Sequence, residues 1–336
     1  MIRARRVGRF CPGTVQPDNQ TVPKPSPITF HVPASAANLG PGYGVVGLAL
    51  DLPLGITVEP GTDGEVIVER RDDPSAQLDD PRHDPVLRGL RRGAEAFGVS
   101  LQKGLSVVVD GTIPRGTGMG TISAGYAAGL AIAARLAKKL PTPAQALDLL
   151  VPLGGDPAHG AAALLGGLTA TAQVSLPHES GLRHEPLRMP VHEDWHYVIA
   201  LPDVQMGTAD TKRVLPPTLP HAATRRSTGR TLGVLRALET ADEELLRACL
   251  VDEVHLPYRR RLVPGLDQAL RAGVEAGAAG ATICGHGPGL IAFTTVQGRV
   301  PEIARALVHA YAQAGREATT LTLQTAFYGA LPTGAK

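Results

Sequence analysis

The chain is short of cysteine, of net charge and of long apolar runs, and each shortage excludes something. Three cysteines, Cys11, Cys249 and Cys284, show neither metal-type spacing nor a disulfide framework, so a reducing compartment, the cytoplasm, is expected. A formal net charge of +2 over 336 residues argues against a dedicated nucleic-acid surface. No apolar run reaches the length that crosses a bilayer, so no membrane partner is expected. The opening stretch "MIRARRVGRFCPGTVQPDNQTVPKPSP" is basic and proline-rich, but lacks the apolar core of a signal peptide. Residues 1–27 read as a flexible leader.

Aromatics are scarce at 4%, whereas Gly (39) and Pro (29) are plentiful. The length allows one large or two ordinary domains. "ITFHV", "GITVEP" and "EVIVER" read as strands, by β-branched alternation between glycine and proline punctuation. "DPVLRGLRRGAEAFGV" reads as a helix with Asp84 as N-cap and Pro85 in the first turn. "LSVVVDG" is a strand, and a small-residue helix runs from Gly120 to about Leu140. "TPAQALDLLV" and "PAHGAAALLGG" read as short helices. "LTATAQVSL", "HYVIALP", "ATICG", "GLIAFTTV" and "EATTLTLQ" read as strands, with helices over 222–238, 241–250, 262–277 and 299–314. Strands and helices without strict alternation favour α+β.

"IPRGTGMGTISAG", residues 113–125, joins a strand to a helix N-terminus through Gly116, Gly118 and Gly120. Such a loop offers free backbone N–H groups and the positive end of a helix dipole, which suits a nucleotide triphosphate. It has neither the Lys of GxxxxGK[ST] nor the spacing of GxGxxG with a downstream acid. Read alone, it competes with a close-packing turn that holds no ligand. Two further stretches, "VPASAANLGPGYGVVGLAL" (32–50) and "GATICGHGPGLIAF" (280–293), join it. Together they resemble the three signature motifs of the GHMP kinases, and within them homoserine kinase. The resemblance extends to "LPDVQMGTADTKRVLP" (201–216) and "DEVHLPYRRRLVPG" (252–265), in order and over nearly the whole chain from residue 30.

The resemblance implies a two-lobe α+β fold: an N-terminal lobe like ribosomal protein S5 domain 2 (28–178) and a ferredoxin-like C-terminal α/β lobe (179–330). It implies ATP and Mg²⁺ as cofactors, a small-molecule substrate in the cleft, and allows a homodimer. Gly116, Gly118, Met119, Gly120, Thr121 and Ser123 would hold ATP, with Thr121 also on the metal. Asn38, Tyr43, Lys212, Arg259 and His286 would face substrate, Arg259 as a planar fork for a carboxylate. Thr121, Asp156 and His159 are the candidate catalytic residues.

The departures from the family pattern sit in the cleft. Gly44 stands where the family's Gly-Phe-Asp has its carboxylate. Ile122 replaces a second serine. The Glu that holds Mg²⁺ is missing, leaving Asp148 and Asp156 as the nearby carboxylates. Asp84 takes the place of an adenine-side Asn, and Lys212 that of a second substrate-facing Arg. His255 is expected to orient Arg259, Asp252 to cap a helix or pair with Arg260 or Arg261, and Cys284 to behave as a small hydrophobe. Arg88, Arg91 and Arg92 read as a solvated helix face. The expected activity is an ATP-dependent small-molecule kinase of the homoserine kinase type. The alternatives are a repurposed enzyme working by acid–base chemistry, with His159, His286 or Asp156 as the groups, and a non-catalytic nucleotide or metabolite binder.

Overall fold

The computed structural model describes residues 26–61, 64–71, 81–102, 104–111, 113–175 and 181–332. The expected leader lies outside these residues save for its last two. β1 (Ile28–Ala37) pairs antiparallel along β2 (Val46–Pro60). The "GITVEP" stretch is only the end of β2, where Leu54, Ile56 and Val58 alternate inward. That end pairs with β4 (Leu105–Asp110), which β3 (Val66–Arg70) joins in parallel. The start of β2 pairs with β5 (Leu168–Val174), and β5 with β6 (Arg183–Met189). The expected division at 178/179 thus falls between two strands of one sheet.

Helix α1 (Pro85–Phe97) begins as its sequence dictates. Asp84 accepts the amides of Val86 and Leu87, and Gly98 closes the helix in the left-handed region. Asp84 also pairs with Arg70 at 2.8 Å, so both of its carboxylate oxygens have protein partners. α2 (Thr121–Leu136) is buried around its whole circumference from Ser123 to Ala134. It can be, because its residues are small: at Gly129 a Cβ would stand 2.0 Å from the Val86 carbonyl oxygen of α1. Arg88 departs from the expected solvated face. Its guanidinium donates to the Tyr126 hydroxyl (2.6 Å) and the Leu153 carbonyl (3.0 Å), bracing the turn before residue 156. α3 (Pro143–Leu150) starts on a capping box between Thr142 and Gln145, and α4 (Pro157–Leu165) packs on β1, β2 and β5.

The second sheet runs β10 (Ala318–Leu323), β7 (His196–Pro202), β9 (Leu290–Thr294), β8 (Gly280–Ile283), all antiparallel. α5 (Thr208–Arg213), α6 (His221–Thr240), α7 (Glu243–Cys249), α8 (Leu256–Arg259) and α9 (Leu266–Glu275) lie between β7 and β8, and α10 (Val300–Gln313) between β9 and β10. With α9 and α10 as the crossovers this is the β-α-β-β-α-β ferredoxin-like arrangement. α9 and α10 cover one face, with Leu266, Ile303 and Leu307 of the helices in the cluster with Val198, Leu290 and Ala292 of the sheet. The other face, with Tyr197, Ile199 and Phe293, joins the core of the first lobe. After β10 the chain returns to the first lobe, where the Ala326 amide donates to Ala49 O and the Ala330 amide to Ala163 O. That return fastens α4. Among the described residues no helix is long and apolar enough to cross a membrane.

Candidate active site

The glycine loop leaves β4 and enters α2 between the lobes. Gly116, Gly118 and Gly120 have φ of 69°, 85° and 72°, a region that L side chains rarely adopt. Gly118 lies against the second glycine turn: a Cβ there would stand 2.0 Å from the Cys284 carbonyl oxygen. The Gly289 amide donates to Thr117 O, the Ser35 amide to Met119 O, and the Cys284 thiol to Gly118 O. Burial pushes that thiol up to about 12, so Cys284 is the inert small hydrophobe expected of it.

Gly120 caps α2 with no side chain. The first intrahelical bond runs from the Ala124 amide to Gly120 O, and among the described residues nothing accepts from the amides of residues 121–123. These three N–H groups, glycine-flanked and at the positive end of a sixteen-residue helix, fit a phosphate group. Thr121 donates its hydroxyl to Pro114 O at 3.1 Å, which leaves the oxygen's lone pairs as its remaining capacity. Gly116, Gly118, Met119, Gly120, Thr121, Ile122 and Ser123 all line one cavity of about 150 Å³. Ile122 is 53% exposed at its rim and does not close it.

Asp156, His159 and His286 line the same cavity, His159 directly against Gly120. Asp156 is the N-cap of α4: Oδ1 accepts from the amides of Ala158 (3.0 Å) and His159 (3.1 Å). His286 Nε2 stands 4.0 Å from Asp156 Oδ2. Burial, then the Arg259 guanidinium, pushes His286 down to about 4 against the pull of Asp156, so its ring is neutral at pH 7. Burial also lowers His159, opposed by Asp156. His159 Nδ1 meets Ser35 Oγ at 2.8 Å, a partner absent from the sequence reading although Ser35 lies in a motif it used. Asp148 is not in the cavity: its carboxylate takes the amide (2.9 Å) and Nδ1 (3.0 Å) of His184. Among the described residues, Asp156 is therefore the one carboxylate on the lining.

Arg259 is fully buried. Nη1 donates to His255 Nδ1 (3.2 Å) and Gly285 O (3.4 Å), Nε donates to Thr211 O (3.4 Å), and Nη2 has no partner. The Tyr43 ring lies 5.4 Å from its guanidinium carbon and 5.1 Å from the His255 ring. An arginine only donates, so His255 Nδ1 accepts and its proton sits on Nε2, which faces Asp252 Oδ2 at 2.9 Å. His255 thus orients Arg259 as expected. Asp252, however, pairs with His255 and not with Arg260 or Arg261, and it caps α8 through the amides of Val254, His255 and Leu256.

Burial raises the Asp252 carboxyl, but the hydrogen bonds from His255 and the backbone amides outweigh it and hold it below its ordinary value. The stability this provides is complete above about pH 4 and is lost as pH falls through the folded-state value. Asp252→Ala should cost about 2–4 kcal/mol at pH 7, since it strands a buried imidazole and three amides. Urea unfolding at pH 7 and pH 3 checks this: the difference between wild type and variant should shrink at the lower pH.

Asn38 does not line the cavity. It is buried in the left-handed region, φ 73°, donates to Gly285 O (2.7 Å) and accepts from the Gly44 amide (2.8 Å). It ties the first motif to the second glycine turn. Lys212 belongs to α5, but its side chain falls outside the described residues. Met206, Thr211 and Gly154 also line the cavity, and the sequence reading did not single them out. The first two lie in the 201–216 stretch it quoted.

The described residues hold no cluster of three metal-ligating side chains. One carboxylate, Asp156, and one hydroxyl, Thr121, on the lining of this cavity nevertheless suit Mg²⁺, which keeps phosphates and waters as most of its ligands.

Known structures share the fold. A homoserine kinase from Cytophaga hutchinsonii superposes with a TM-score of 0.77 at 22% identity, over 90% of this chain and 96% of that one. Mevalonate kinase from L. major, in complex with R-mevalonate, gives 0.66 at 16% identity, over 90% and 97%. Both contain the α+β GHMP kinase fold with two sheets. Residues 234–313 match the family described as GHMP kinases C terminal. Homoserine kinase from Trichormus variabilis is 30% identical over 305 residues, 91% of this chain and 98% of that protein. A Synechococcus homoserine kinase is 31% identical over 304 residues, 89% and 94%. The chain belongs to the GHMP kinase family, among its homoserine kinase-like members.

Proposed function

We propose that this chain is an ATP- and Mg²⁺-dependent kinase that phosphorylates a hydroxyl of an amino acid or a related carboxylate-bearing metabolite. The observation that carries this reading is the uncapped N-terminus of α2, opened by glycines onto the cavity. Its amides and dipole would take the polyphosphate of ATP, and phosphoryl transfer needs mainly positioning and charge stabilisation. Mg²⁺, when bound, would neutralise phosphate charge, with Thr121 on the metal. Arg259, a buried guanidinium with an unpartnered Nη2, would take the acceptor's carboxylate. Gly44 removes a carboxylate that the family pattern carries and has open space where a side chain would be, so the acceptor need not be homoserine.

That same vacancy favours a second reading, in which the scaffold runs acid–base chemistry through the neutral His159 and His286. Nucleotide binding separates the two. Titration with ATP·Mg²⁺ by calorimetry and thermal unfolding should give a saturable heat and a raised Tm, since ligand at 100 times its Kd stabilises by about 2.7 kcal/mol. Gly116→Asp is the matched control. A Cβ at Gly116 meets nothing within 4 Å, so the variant should lose only the left-handed strain of about 1–2 kcal/mol while its carboxylate weakens ATP by about tenfold or more. No heat and no Tm shift at millimolar ATP would remove the kinase reading and leave the acid–base one.

A further inference from the structure

Asp156 has one oxygen occupied and one open. Its Oδ1 holds two amides of the first turn of α4, which fixes the carboxylate's position. Oδ2 has no hydrogen bond among the described residues, and His286 Nε2, at 4.0 Å, is beyond hydrogen-bond reach. The N-terminus of α2 packs on the first turn of α4: a Cβ at Gly120 would stand 2.8 Å from His159 Nδ1, and Asp156 Oδ1 holds the His159 amide. Asp156 and the start of α2 therefore line one cavity side by side. A polyphosphate there would be repelled by this carboxylate unless a cation stood between them.

Thr121 lies on the same cavity with its hydroxyl proton turned back onto Pro114 O, so its oxygen presents lone pairs only. Asp148, the other carboxylate nearby in sequence, is engaged with His184 outside the cavity. Resting on the kinase reading above, we propose that Asp156 holds the magnesium ion of the bound nucleotide in this chain, with the Thr121 hydroxyl beside it. Phosphate oxygens and waters would supply the other ligands, so no three-residue protein cluster would be needed. Metal binding and nucleotide binding are then strongly coupled, and the free protein binds Mg²⁺ weakly.

The test is calorimetry with ADP, once in EDTA and once in excess Mg²⁺, on wild type and Asp156→Asn. Asparagine caps a helix as well as aspartate, so the variant keeps α4, and an unchanged Tm verifies this. In wild type, Mg²⁺ should tighten ADP by about tenfold or more. In Asp156→Asn that factor should fall below about threefold, while ADP in EDTA binds as tightly or tighter, because the repelling charge is gone. Mn²⁺ in place of Mg²⁺, followed by its electron paramagnetic resonance, should lose its nucleotide-dependent binding in the same variant. An undiminished Mg²⁺ factor in Asp156→Asn overturns the assignment and leaves the nucleotide site standing. It also turns Asp156 into a candidate for an acceptor's ammonium group. No ADP binding under either condition overturns the kinase reading and this assignment together.

Discussion

Arg259→Met is expected to cut kcat/KM for a carboxylate-bearing acceptor by about 10²–10³-fold while leaving the fold about as stable as before, or more so. The two halves of this result have one cause. Arg259 is fully buried, its three hydrogen bonds are 3.2–3.4 Å long, and no carboxylate pairs with it among the described residues. Burial accordingly lowers its pKa, and Tyr43 and Asp252 offset this only in part. A buried charge without its counter-ion is a cost to folding, and methionine fills a similar space with a flexible apolar chain. On the proposed function, the charge is kept for a carboxylate that arrives with the acceptor. Losing a buried charged hydrogen-bond partner costs about 3–4 kcal/mol of binding, which converts to the stated factor. Arg259→Lys should fare nearly as badly, because a point charge on a flexible stem does not reproduce the planar fork. Steady-state kinetics and urea unfolding on the same preparations decide it. Unchanged acceptor kinetics with a loss above about 2 kcal/mol would make Arg259 a structural residue.

Gly118→Ala is expected to lose about 3 kcal/mol or more of stability and most nucleotide affinity together. The added methyl would stand 2.0 Å from the Cys284 carbonyl oxygen, 2.9 Å from its carbon and 3.1 Å from the Gly287 nitrogen. All three atoms are backbone, so no side chain can swing aside, and φ is 85°. Left-handed strain and overpacking each contribute about 1–3 kcal/mol. The glycine loop must lift off the second turn, and the α2 amides move with it. Gly116→Asp isolates charge without that clash, so the pair separates steric from electrostatic loss. Thermal unfolding and ATP titration of both variants check this: Gly118→Ala should fall in both, Gly116→Asp chiefly in affinity.

Much of the fold was legible because local chemistry and tertiary structure agree. Asp84 and Pro85 start α1, and "TPAQALDLLV" starts α3 on its capping box. In the second lobe β7 and β9 are apolar enough to stand out. β6 was not legible: "RHEPLRM" carries a proline and alternates weakly, and it is a strand because β5 supplies seven residues of pairing. α5 and α8, of six and four residues, are too short for a periodic pattern. In the site, glycine spacing located the loop that opens the α2 amides onto the cavity, whose geometry is a backbone property. Side-chain allegiance was harder to read. Asn38, Asp84 and Asp148 each spend their polar groups on backbone or on a neighbouring side chain. Those partners are set by packing between segments up to 247 residues apart. Arg88 looked like one more solvated arginine until Tyr126 and Leu153 came beside it.

The most direct measurement is phosphorus NMR of the protein with ATP, Mg²⁺ and a panel of hydroxy amino acids and hydroxy acids, each paired with its methyl ester. ADP and a new phosphomonoester are expected with at least one free-carboxylate acceptor. Its ester, which cannot occupy the Arg259 site as an anion, should give about 100-fold less product. No phosphoester from any acceptor, or equal transfer to an acid and its ester, would contradict a kinase that holds its substrate by the carboxylate.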